Sequence, residues 1–184
     1  MIKFMSLLVS LLVAVPSFSQ VQNKFFGATL GVSDMNSTYS SMYNYFNEKP
    51  SATNLFEVVI SVSDKSFAGY KWDHINTYYH NEKFAKLGLR FNGNYHASSQ
   101  TILSVYNSLQ KALADKYGGK LKINKIQKDW EKAIYYFDGR YYVSLEIHWQ
   151  LNNKKEKQYT EVDLWYVDNK LLNEPKRPKI NEEL

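Results

Sequence analysis

Three stretches of this chain alternate apolar and polar residues with a period of two, and that pattern limits the fold more than any other feature. In LFEVVISVSD (55–64), Phe56, Val58, Ile60 and Val62 share one side. In RYYVSLEIHWQ (140–150) the matching set is Val143, Leu145 and Ile147, and in YTEVDLWY (159–166) it is Val162 and Leu164. A strand with one apolar side belongs to a sheet that buries one face. The cover for that face is also legible. Ile102, Val105, Tyr106, Leu109, Leu113 and Tyr117 form one helical stripe that opens at Ser98 or Ser99 and stops at Gly118-Gly119. Each large apolar side chain on it contributes roughly 1.5–3 kcal/mol when fully buried, so the helix must lie on something.

A second helix starts at Ser33 or Asp34, with Met35, Tyr39, Met42, Tyr43 and Phe46 on one stripe, and NEKPSATN (47–54) ends it. Further strands are read at KFFGATLGV (24–32), at about 69–79, at FAKLGLRFN (84–92), at KLKINKI (120–126) and at WEKAIYYF (130–137). In 84–92, Ala85, Leu87, Leu89 and Phe91 point one way, and Lys86 and Arg90 the other. Asp138-Gly139 between two strands predicts a hairpin with a type I′ turn. The order is β-α-β-β-β followed by α-β-β-β-β. The expected fold is α+β, a mostly antiparallel twisted sheet with two helices on one face, in which a helix-plus-meander unit occurs twice (24–94 and 95–172).

The first residues, MIKFMSLLVSLLVAVPSFSQ, have a lysine, a short apolar run, a proline and small residues before Gln20, the pattern of a secretory signal peptide over 1–19. The apolar run falls short of the roughly 20 residues that span a bilayer. No cysteine is present for lipid attachment or for disulfides. The expectation is a periplasmic or secreted protein that does not insert in the membrane once the signal is removed. It would consist of one domain over 20–172 and a flexible tail over 173–184. The formal charge of +5 is mild, and the densest basic stretches, NNKKEK (152–157) and PKRPK (175–179), read as a solvated loop and a tail, so a nucleic-acid partner is not expected.

The segments SFSQ, FFGATLGVSD, FAGYKWD and LQKALADKYGG, with the doubled helix-and-meander order, resemble small exported α+β domains of Bacteroidetes type. In outline they are similar to the β-lactamase-inhibitor-protein-like architecture. That resemblance implies an uncovered sheet face that grips a partner protein, and it assigns no functional residue.

Extending the period of two to the other face places Tyr70, Trp72, His74, Asn76 and Tyr78 together on one strand. Tyr142, Ser144, Glu146, His148 and Gln150 fall together on a second, and Tyr159, Glu161, Asp163 and Trp165 on a third. Tyr and Trp are favoured interface anchors, so the expected contact residues for an envelope protein or a glycan are Tyr70, Trp72, His74, Tyr142, His148, Tyr159 and Trp165. The same aromatic face also suits a purely structural sheet.

Glu146 and His148 share a strand face, and a suitable register brings Glu161 and Asp163 beside them, the donor types that hold zinc or calcium. A mesh of surface polar groups is the expected reading of that set, with no cofactor. There is no cysteine nucleophile, G-x-S-x-G, H-E-x-x-H or Gly-rich phosphate loop, and an enzyme is not expected.

Overall fold

The computed structural model describes residues 21–53, 59–126 and 129–177. The signal segment and two members of the apolar set, Phe56 and Val58, lie outside them. A short antiparallel hairpin, β1 (Lys24–Phe25) and β2 (Ala28–Thr29), leads into α1 (Met35–Phe46). Then come β3 (Ser51–Thr53), β4 (Val59–Phe67), β5 (Tyr70–His80) and β6 (Lys83–Phe91). Helix α2 (Ser99–Tyr117) is followed by β7 (Lys122–Ile126), β8 (Trp130–Phe137), β9 (Tyr141–Leu151) and β10 (Lys157–Asp168), and one turn of helix, α3 (Asn169–Leu172), closes the described fold.

The main sheet has eight strands in the order β3-β4-β5-β6-β10-β9-β8-β7, every pair antiparallel. Two meanders therefore meet along their last strands, β6 against β10, and each meander follows its own helix. The doubled unit read from the sequence forms one continuous sheet.

Both helices start and stop where their caps require. The Asp34 carboxylate accepts the Ser37 N–H at 2.8 Å, and the Ser98 hydroxyl accepts the Thr101 N–H at 3.1 Å. Gly118 ends α2 at φ +79° and donates its N–H to the Ala114 carbonyl at 2.8 Å. On α2 the predicted stripe is buried at Ile102, Tyr106, Leu109, Leu113 and Tyr117, with Val105 half-buried. On α1 only Thr38 and Met42 are buried, and Tyr43, expected on the inner stripe, is exposed. The core beneath the helices contains Ile60, Val62, Leu87, Leu89, Val143, Leu145, Ile147, Val162 and Leu164, as the alternation predicts.

Three local expectations differ from the structure. Residues 51–53, read as part of a loop, form the edge strand β3 against Val59–Ser61. The 138–141 hairpin is present, but a type I′ turn needs positive φ at two successive residues. That pattern occurs instead at Ala68–Gly69 (54° and 82°) and Asn81–Glu82 (49° and 66°). At the 138–141 turn the left-handed residue is Gly139, at φ +92°. It is the first of two residues between Asp138 and Tyr141, whose N–H to carbonyl bond is 3.3 Å, and Arg140 after it does not have positive φ, so the turn is not type I′. The start of the expected free tail is also tied down. The Glu174 carbonyl lies 2.8 Å from His80 Nε2, the Pro175 carbonyl accepts from Asn81 Nδ2, and Asn81 Oδ1 accepts the Arg177 N–H.

Candidate functional site

Helices α1 and α2 contribute to the same core cluster and cover one side of the sheet. The opposite side can be laid out from the strand register. One row runs His74, Arg90, Asp163, Glu146, Lys132 straight across β5, β6, β10, β9 and β8. The next row runs Asn76, Gly88, Trp165, Ser144, Ile134, and a further one Tyr78, Lys86, Val167, Tyr142, Phe137. On the other side of the first row stand Glu161, His148 and Trp130.

The centre of this face is a cluster of charges. Arg90 grips Asp163 with two hydrogen bonds, Nε to Oδ1 at 2.8 Å and Nη2 to Oδ2 at 2.9 Å, and lies 3.4 Å from Glu161. The Asp163 side chain is only 4% exposed, so it needs that partner. Lys132 Nζ sits 3.0 Å from Glu146. His148 Nε2 faces three carboxylates, 3.6 Å from Asp163, 3.7 Å from Glu146 and 3.9 Å from Glu161, and the indole of Trp130 stacks on its ring at 6.0 Å and 18°. Burial disfavours charge on Glu146, but His148 and Lys132 outweigh it and hold its pKa below the usual range. Burial and the Asp163 charge push Glu161 up.

Trp165 lies flat on the sheet over Gly88. A Cβ on that glycine would stand 2.3 Å from the indole Cζ3. Lys86 Nζ is 4.2 Å from the indole centre and Tyr78 is 5.8 Å away ring to ring. The indole Nε1 is buried without a hydrogen-bond partner.

His74, Tyr142, His148 and Trp165 therefore lie on the sheet face opposite α1 and α2, as the alternation predicts. Tyr70, Trp72 and Tyr159 do not. Trp72 is 1% exposed, belongs to the core cluster, and donates its indole N–H to the Phe67 carbonyl at 3.0 Å. Tyr70, its ring 5.9 Å from Trp72, is half-buried against the same core. The β4–β5 ladder is interrupted at Asp64, where φ is +56° and no partner pairs across, with the same register on either side. Beyond it the hairpin tip turns Phe67 onto Phe25 and Phe26, and Lys65 pairs with Glu48.

Tyr159 is displaced by a bulge. The register shifts between Tyr159, opposite Trp149, and Glu161, opposite His148, so the two residues fall on opposite faces. Tyr159 packs edge-on to buried Trp149 at 6.3 Å.

Three of the four residues considered as metal donors converge. Ligand atoms of Glu146, His148 and Asp163 lie within 4.8 Å of one another. The chemistry of the set fits a metal poorly. The guanidinium of Arg90 already takes both Asp163 oxygens and the ammonium of Lys132 takes Glu146, so a divalent ion would have to displace fixed cations. Sequence reasoning missed Lys132 and Trp130 altogether and separated Arg90 from the site, because their strands join it only through the pairing order.

Comparison with protein-family models, with curated proteins and with solved structures found no match. The functional argument therefore rests on the site itself.

Proposed function

We propose that the protein is exported and acts as a non-enzymatic binding protein of the cell envelope, with a partner protein docking on the face of its sheet opposite the helices. The observation behind this reading is the one-sided placement of α1 and α2 against a reverse face lined with Tyr78, Trp130, Tyr142 and Trp165 among charged groups. Tyr and Trp are favoured anchors in protein interfaces. With Tyr70, Trp72 and Tyr159 inside the fold, the contact set becomes His74, Tyr78, Trp130, Tyr142, His148 and Trp165. A protein partner is preferred to a glycan because sugars stack on open ring faces. Here Lys86 lies over Trp165, and His148 stacks on Trp130.

A photo-reactive benzophenone side chain at position 142 tests the face, with the same group at exposed position 43 on α1 as control. A discrete adduct with an envelope protein is expected from position 142 and not from position 43. No adduct, or the same adducts from both, removes the proposal. Export is tested by sequencing the N-terminus of the mature protein, which is expected to begin at Gln20. Retention of Met1 removes that part.

A further inference from the structure

We propose that the central cluster is a proton-operated clamp in which His148, when protonated, ties β9 to β10 on the sheet face opposite the helices. The argument begins with a charge count. Glu146, Glu161 and Asp163 supply three negative charges, and Arg90 and Lys132 supply two positive ones. One positive charge balances the set. His148 Nε2 stands where that charge is needed, between 3.6 and 3.9 Å from an oxygen of each carboxylate, and this nitrogen is buried without a hydrogen-bond partner. A neutral imidazole leaves the set one positive charge short, whereas an imidazolium places that charge within 3.6–3.9 Å of all three carboxylates. A proton supplies the missing charge with no rearrangement. A divalent ion would overshoot it and would compete with Arg90 and Lys132.

Every strand near the ring contributes a group to this balance. Glu146 comes from β9 itself, Glu161 and Asp163 from β10, Arg90 from β6, and Lys132 and the stacked Trp130 from β8. His74 of β5 sits beyond Arg90 in the same row. Burial of His148 works against its charge, but Glu146, Asp163 and Glu161 together raise its pKa above the ordinary imidazole value. The folded protein then holds a proton that the unfolded chain has released. Stability from the clamp is complete below the unfolded-state pKa and is lost as pH rises through the folded one. Glu161, also raised, works in the same direction but in the carboxylate range.

The test is an NMR titration of the histidine side-chain nitrogens from about pH 5 to pH 9 in the folded protein and in urea, with unfolding midpoints measured over the same range. His148 is expected to release its proton at higher pH when folded, and the midpoint to fall with rising pH across that interval. His148→Gln is expected to lose most of this fall, and Glu146→Gln to move the His148 titration to lower pH. A folded-state titration at or below the unfolded one overturns the clamp, and this measurement on the unaltered protein decides whether or not the variants fold. The clamp is also overturned if equimolar zinc or calcium shifts the His148 signals at about pH 8 and Glu146→Gln abolishes the shift, since a metal would then be the occupant.

Discussion

Gly88 and Trp165 face each other across the central strand pair, and the glycine is there for space, with no left-handed backbone to demand it. An indole can lie flat on a sheet only where the strand beneath presents no side chain, and an added Cβ would meet three ring carbons at 2.3–2.9 Å. Gly88→Ala is therefore expected to cost about 1–3 kcal/mol, as overpacking does. It would appear as a lower urea midpoint at unchanged slope. The cost should shrink when Trp165 is also Leu, because the two changes share one contact. An additive double mutant would show that the indole does not rest on Gly88. Gly31 faces a harder limit. It has φ +80°, and a Cβ would lie 2.2 Å from Asp168 Oδ2 and 2.6 Å from Arg140 Nη2, which hydrogen-bond to each other. Gly31→Ala is expected to cost more than Gly88→Ala in the same assay, because backbone strain adds to the clash.

Among the elements, α2 shows how directly local chemistry sets a boundary. Ser98 caps it, Gly118 ends it, and its buried stripe covers β8, β9 and β10. Ser98→Ala should lower stability by about 1 kcal/mol, measured by thermal or urea unfolding, while Ser98→Asp should hold it. Loss with both variants would mean that the hydroxyl serves something other than the cap. Several strands were legible for the same reason, since β5, β6, β8 and β9 each stop directly before an asparagine or aspartate. Which way a residue faces was less legible. Strict alternation puts Tyr159 with Glu161 and Trp72 with His74. The structure separates both pairs: a bulge near Thr160 reverses the sides on β10, and the hairpin tip beyond left-handed Asp64 carries Trp72 into the core. Neither has a strong local signature: Asp accepts positive φ more readily than most residues, but most aspartates do not adopt it. The acidic and histidine members of the cluster could be read from the period of two on β9 and β10. Their counter-charges could not, since Arg90 and Lys132 lie 73 and 14 residues away in sequence from the carboxylates they bind.

At the scale of the molecule, the two meanders are sewn together by the β6–β10 pair and by several ties at one end of it. Arg140 donates to Asp168, which also accepts the Leu171 N–H and so starts α3. Gly31 donates its N–H to the Phe84 carbonyl, Phe84 donates to Ser33, and the chain beyond α3 is pinned to His80 and Asn81. Stability should therefore be graded outward from the centre. The middle strands are paired on both edges and carry fully buried Leu87, Leu89, Val162 and Leu145, while β3 and β7 are edge strands with one partner each. Native-state hydrogen exchange is expected to find the slowest amides in β6, β9 and β10, opening only with the whole fold, and faster exchange in β3 and β7. If the two meanders were instead independent units, one half would exchange at a free energy well below the other, and the β6–β10 hydrogen bonds would open with the weaker half. A single slow class spanning both strands is the result that a continuous eight-stranded sheet requires.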